Sequence, residues 1–169
     1  EQIRENIREA LKYDLAIFTG GVSMGDRDYI PRLMAEAGVV NFFHKVAIKP
    51  GKPILAGKKG DRMVFGLPGN PVSAFVTFEL FVRPVVRSWS GFAQPSLPRI
   101  SGELAADVKQ KPGRKSFKQA ITVWGNGRFK ISPIETQGSG DLAGFSVANS
   151  LLILEPETVH LRAGQQVEA

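Results

Sequence analysis

The stretch that most constrains this chain is Asp14-Leu-Ala-Ile-Phe-Thr-Gly-Gly-Val-Ser-Met-Gly-Asp-Arg-Asp28, an apolar run breaking into a glycine-rich turn and then two carboxylates around an arginine. Residues 15–18 are apolar throughout and few enough to form a strand buried on both faces, and upstream of them Ile3, Ile7 and Leu11 share one helical face. A helix, a buried strand, a glycine turn and a second helix are the parts of an α/β layer. Gly20, Gly21 and Gly25 remove side chains where the backbone turns, so that N–H groups can approach an anion such as phosphate. Asp26 and Asp28 could hold a hard cation beside it. Asp28 also directly precedes Ile30, Leu33, Met34 and Ala37, which have helical spacing, so a helix N-cap is an equal and compatible reading for it. Glycines after a strand mark, on their own, only a turn.

Composition narrows the class. With 43% hydrophobic residues in 169, the chain can bury a real core. No apolar run approaches the roughly 20 residues of a bilayer span, and no leader pattern is visible, so the chain reads as soluble. The absence of cysteine excludes disulfides, thiolate metal sites and a cysteine nucleophile, and is compatible with the cytoplasm, which is the expected location. A formal charge of +6 points to a negatively charged partner. For nucleic acid, net charge is the only support, since no recognition helix, aromatic-lined sheet or zinc spacing accompanies it; neither a nucleic-acid nor a membrane partner is expected. The chain opens at Glu1 already inside a helical pattern and reads as part of something longer.

Further along, residues 39–48 are rich in β-branched and aromatic side chains and predict one strand. Lys49-Pro-Gly-Lys-Pro53 ends it in a rigid corner that presents Lys49 and Lys52, either as a fixed positive site or simply as solvated lysines in a turn. Residues 53–57 and 63–67 read as paired strands, and the second leads into Gly66-Leu-Pro-Gly-Asn-Pro-Val-Ser-Ala74. There Asn70 before Pro71 is a strong helix start, Gly69 permits close backbone approach, and Ser73 can add a hydroxyl to an anion site. The helix expected over residues 71–89 is apolar nearly all round except for Glu79, Arg83 and Arg87, so it should be largely buried or in a subunit contact, with a kink at Pro84. Phe75, Phe78 and Phe81 read as core. His44 and His160 are isolated and read as structural.

Residues 91–97 read as a linker between an α/β domain over residues 1–90 and a small β domain over residues 98–169. In the second, residues 116–124 alternate apolar and polar side chains, and Gly125-Asn-Gly127 turns the chain into a hairpin. A basic loop, Lys109-Gln-Lys-Pro-Gly-Arg-Lys115, and a glycine-rich loop, Gln137-Gly-Ser-Gly-Asp141, punctuate it before a buried strand at residues 151–154. Charge runs are usually solvated faces.

Taken together, Thr19-Gly-Gly-Val-Ser-Met-Gly-Asp-Arg-Asp28, Lys49-Pro-Gly-Lys-Pro53, Gly66-Leu-Pro-Gly-Asn-Pro-Val-Ser-Ala74, and Gln137-Gly-Ser-Gly140 with Ala148-Asn149 stand in the order seen in the molybdopterin molybdenumtransferase family. That family is called MoeA in bacteria, with the enzymatic half of gephyrin as an animal relative. The chain resembles the C-terminal part of a family member over essentially its whole length. This implies an incomplete three-layer α/β/α molybdopterin-binding domain followed by an all-β barrel-like domain. It also implies a reaction, insertion of molybdate into adenylylated molybdopterin with Mg²⁺ and release of AMP, carried out by a homodimeric full-length protein that could contact a molybdopterin adenylyltransferase.

By match to the family pattern, Asp28 with Asp26 beside it would hold the metal, and Gly20, Gly21 and Ser23 would line the phosphate loop. Asp28, Lys49 and Lys52 would be the catalytic set, the two lysines contacting phosphate or molybdate. Gly69, Asn70 and Ser73 would form a second wall, with Arg114 and Ser139 added from the β domain. Gln119 stands where the family often has arginine, and Ser150 where it commonly has glycine. Two other readings are a molybdopterin adenylyltransferase, against which the attached β domain argues, and a non-catalytic molybdopterin-binding or scaffolding domain, against which the retained Asp28, Lys49 and Lys52 argue.

Overall fold

A computed structural model describes residues 1–23, 29–135 and 143–169. Asp26, Asp28 and Ser139, together with Gly25 and the whole of the second glycine-rich loop, lie outside the described residues.

The first half runs α1 (Gln2–Ala10), β1 (Leu15–Thr19), α2 (Ile30–Glu36), β2 (Val40–His44), β3 (Ile48–Lys49), β4 (Leu55–Lys59), β5 (Arg62–Leu67) and α3 (Pro71–Thr77). A π-type turn (Phe78–Val82) then leads into α4 (Arg83–Trp89). Strands β1, β5, β4 and β2 form one sheet in that order, with β1 parallel to β5 and the other pairs antiparallel. Successive side chains point to opposite faces of a strand, and here each face meets helices. Ala16, Leu55 and Val64 pack with Ile7, Leu11 and Met34 on the α1–α2 side. Ala56, Phe65 and Leu67 pack with Val82 and the flank of Phe78 on the α3–α4 side. The result is a helix–sheet–helix sandwich with two separate cores.

The second half supplies β6 (Ser101–Leu104), β7 (Val108–Lys109), β8 (Lys115–Gly125), β9 (Arg128–Pro133), α5 (Ala143–Val147), β10 (Ser150–Leu154), β11 (His160–Leu161) and β12 (Gln166–Glu168). The order β10-β12-β6-β9-β8, closed by pairing of β10 with β8, makes a barrel, while β7 and β11 form a separate ribbon. Eleven-residue β8 closes it by pairing with β10 along its first half and with β9 along its second. The turn between β8 and β9 has positive φ at both Asn126 (51°) and Gly127 (76°), the geometry that suits the twist of a two-residue hairpin. Leu104, Val108, Ala120, Ile131, Leu152, Leu154 and Val167 fill the barrel.

Several expectations change. The strand expected over residues 39–48 is two strands, because Lys45 takes φ 78° and turns the chain out of the first sheet. Its second piece, β3, joins the barrel sheet beside β8. β1 is not buried on both faces: it ends the strand order, and the helices covering Phe65 leave its neighbour Ile17 39% exposed. The fully buried run belongs to β5 instead, at Val64, Phe65, Gly66 and Leu67. Ile7 and Leu11 are buried as expected, but Ile3 in the first turn of α1 is exposed.

The kink expected at Pro84 in the helix over residues 71–89 takes the form of a π-type turn just ahead of it, since Pro84 has no N–H to give to an α-helical ladder. The second part of that helix buries no residue fully. Phe75 is exposed and meets Phe145 of α5 with ring centroids 4.6 Å apart, so it bridges the two halves and does not sit in a core.

Leu152 is 0% exposed at the centre of the barrel, so Leu152→Ala should cost about 2–5 kcal/mol through the cavity it leaves. Val123, on the exposed part of β8, is the control: Val123→Ala should change stability by about 0.5 kcal/mol or less in the same urea titration.

Candidate functional site

The parallel register of β1 and β5 sets Thr19 opposite Leu67, so the turns after both strands emerge at the same sheet edge. In α/β sheets the crevice outside the carboxyl ends of the strands is where ligands bind. Gly20 donates its N–H to Leu67 O at 2.9 Å, and a Cβ added at Gly69 would lie 3.2 Å from Gly20 Cα. The two glycine loops therefore touch backbone to backbone. Gly20 has spent its donor on Leu67 and serves by letting the loops approach.

Gly21 (φ 65°) turns the chain toward α2, whose first N–H, from Ile30, reaches Gly21 O at 3.3 Å. The loop is pinned from inside as well. Val22 is buried against Gly66, and His44 Nε2 lies 2.8 Å from Val22 O, which gives His44 a structural task on the loop; Ser23 beyond it is exposed. Helix α2 begins without a side-chain cap from Tyr29, and the cap expected from Asp28 lies outside the described residues.

At the start of α3, Asn70 caps the helix as its sequence predicts: Oδ1 accepts from Ser73 N at 3.1 Å and from Ser73 Oγ at 3.3 Å. Ser73 is buried and its hydroxyl is directed at Asn70. The Lys49-to-Lys52 corner packs on the same helix. Gly51 (φ 110°) lies against it so closely that a Cβ there would clash with Thr77 Cγ2 and sit 3.6 Å from Ser73 O. Lys49–Pro50 is a cis peptide, and Lys49 and Lys52 both have exposed side chains. Seven residues of α3 span only about 10 Å, so the glycine loops and the lysine corner share one short helix.

The barrel half reaches this corner through β3. Ile48 and Lys49 pair in parallel with Lys115 and Ser116, and Arg114 Nη1 donates to Ile48 O at 3.3 Å. One residue near it was not singled out by sequence. Lys118, two residues beyond Ser116, has an ammonium held below the usual lysine value, first by burial and then by the charge of Lys49. Alternation along β8 marks Lys118 only as polar; its nearness to Lys49 exists only through the β3–β8 pairing.

Structure thus brings together Gly20, Gly21, Gly69 and Asn70 at one end of α3, and Lys49, Lys52 and Arg114 around the corner on its side. Among the described residues no group of three or more His, Asp or Glu could hold a metal ion. The donors present are cations, backbone groups and amides, a set suited to anions.

Two family models match the chain: "Probable molybdopterin binding domain" over residues 1–88 and "MoeA C-terminal region (domain IV)" over residues 101–169. The chain is 36% identical over 156 residues to a molybdopterin molybdenumtransferase of Haemophilus influenzae, an alignment covering 91% of the chain and 38% of that protein. It is 31% identical to a molybdopterin molybdenumtransferase of Bacillus subtilis, covering 96% of the chain and 38% of that protein. Among solved structures, a molybdopterin biosynthesis MoeA protein from Pyrococcus horikoshii superimposes with a TM-score of 0.78 at 29% identity, covering 99% of the chain and 40% of that protein. The chain therefore spans well under half the length of these relatives.

Gly51→Ala combines a disfavoured positive φ with a clash on Thr77, and should cost about 2–4 kcal/mol in thermal or urea unfolding. Gly60→Ala, also at positive φ but with nothing within 4 Å, isolates the backbone term and should cost about 1–2 kcal/mol.

Proposed function

Since the chain belongs to the molybdopterin molybdenumtransferase (MoeA) family, we propose that it carries part of the site at which molybdate is inserted into adenylylated molybdopterin with release of AMP, a step of molybdenum cofactor biosynthesis. The observation that carries this reading is the convergence of two glycine turns and the Lys49–Lys52 corner on α3, with Arg114 reaching in from the barrel. Cleaving a phosphoanhydride beside an incoming oxyanion requires that negative charge be held and oriented, and preorganised cations and backbone dipoles do this without rearranging during the reaction.

In this reading Gly21 and Ser23 line the phosphates, while Gly20, its N–H already bonded to Leu67 O, lets the two loops meet. Gly69 lets the second loop close against the first. Asn70 and Ser73 act chiefly by fixing the start of α3, since their polar atoms bond to each other. Lys49, Lys52 and Arg114 hold the oxyanion. Ser139 would join them from the barrel. The described residues supply no carboxylate cluster at this place. Asp26 and Asp28, the carboxylates that the family pattern assigns to magnesium, lie outside them. The full-length protein is expected to complete the site as a homodimer, in the cytoplasm, with partners in cofactor synthesis such as a molybdopterin adenylyltransferase. No helix among the described residues is long and apolar enough to cross a membrane.

The test is calorimetric titration of the chain with AMP, with and without Mg²⁺, in wild type and Asp28→Ala. The expected outcome is magnesium-dependent binding that weakens roughly tenfold or more in the variant, the scale of a lost charge-assisted contact. Equal binding in both proteins would remove Asp28 from the site. Absence of AMP binding from the chain and from a full-length relative alike would overturn the transferase reading.

A further inference from the structure

The joint between β3 and β8 holds a residue that the proposed function does not use, Lys118. Parallel pairing sets Lys49 directly opposite Ser116, and Lys118 follows two residues later, so Lys49 and Lys118 point to the same face of adjacent strands. On that face of β8, Ser116 and Lys118 stand opposite Leu154 and Leu152 of the barrel core, so Lys118 is carried on a rigid, packed strand. Its Nζ reaches the carbonyl of Lys109 at 3.4 Å, which anchors the ammonium without neutralising it.

The neighbouring cation Lys115 has a counter-charge, with its Nζ 2.7 Å from Glu155. Among the described residues, neither Lys49 nor Lys118 has a carboxylate partner. Burial strips hydration from the Lys118 ammonium and the charge of Lys49 on the same face repels it, and the lowered basicity of Lys118 reflects both effects. A doubly charged anion between them reverses the sign of the interaction. Arg114, fixed by its bond to Ile48 O across the same joint, brings a third cation to it.

Resting on the function proposed above, we propose that Lys118 is a further oxyanion-binding residue, acting with Lys49 across the β3–β8 joint to hold a compact tetrahedral oxyanion of the molybdate or phosphate class. Lys118 thus adds to Arg114 a second contribution from the barrel half to the anion, and the β3–β8 pairing has a functional as well as a structural role.

The experiment is calorimetric titration of the chain with sodium molybdate and, separately, inorganic phosphate at fixed ionic strength, using wild type, Lys118→Met, Lys118→Arg and Lys49→Met, each checked for an unchanged thermal melt. The proposal expects Lys118→Met to weaken oxyanion binding roughly tenfold or more and Lys118→Arg to restore most of it, because charge and not packing is at issue. The two anions identify the source: loss confined to molybdate assigns Lys118 to the metal oxyanion, and loss confined to phosphate assigns it to the nucleotide phosphate. Wild-type affinity in Lys118→Met, with loss in Lys49→Met, overturns the role of Lys118 and leaves the proposed function standing. If the wild-type chain binds neither anion, the β3–β8 joint holds no oxyanion and the proposal for Lys118 falls, while the proposed function is decided by the AMP titration of the chain and a full-length relative.

Discussion

The site depends on one pairing, that of β1 with β5. The two strands run in parallel with Thr19 opposite Leu67, so the turns that follow them leave the sheet side by side. The bond from Gly20 N to Leu67 O fixes the first turn to the second strand, and the absence of side chains at Gly20 and Gly69 lets the backbones meet. A shift of one residue in this register would exchange Ala16 and Val64 for side chains of the opposite face and undo both cores at once. The hydrophobic sandwich and the anion-facing edge are therefore specified by the same contacts.

A second joint ties this edge to the barrel. The chain leaves the first sheet at Lys45, contributes β3 to the second sheet, and returns through the Lys49–Lys52 corner to β4. Each sheet thus holds one side of the corner, and Gly51 seats it on α3. Phe75 on partly buried Phe145 is a side-chain contact between the halves, whereas β3 is joined by backbone hydrogen bonding. Positive charge accumulates along that joint at Lys49, Arg114 and Lys118, held by strands and carbonyl contacts and not by carboxylates.

Local signals were legible wherever they arise from neighbours in sequence. The Asn70–Pro71 helix start, the Asn126–Gly127 hairpin and the apolar runs of β5 and β10 follow from capping, turn conformation and patterning, and all are present. The motifs around Gly20, Lys49 and Gly69 were also legible, as separate pieces. What misled was burial inferred from apolarity. Ile17 and Phe75 are as apolar as true core residues but stay exposed, Ile17 on a terminal strand of its sheet and Phe75 at the contact with Phe145, whereas the kink expected at Pro84 is present as a π-type turn just before it.

By itself the sequence determined most of the elements and the chemical character of each loop, because propensity, periodicity and charge act over a few residues. Only the tertiary structure decided which loops meet. The splitting of residues 39–48 at Lys45, the capture of β3 by the barrel and the approach of Lys118 to Lys49 all depend on strand pairing between distant segments. Pairing partners and register are settled by the burial of whole faces, which no local stretch of sequence encodes.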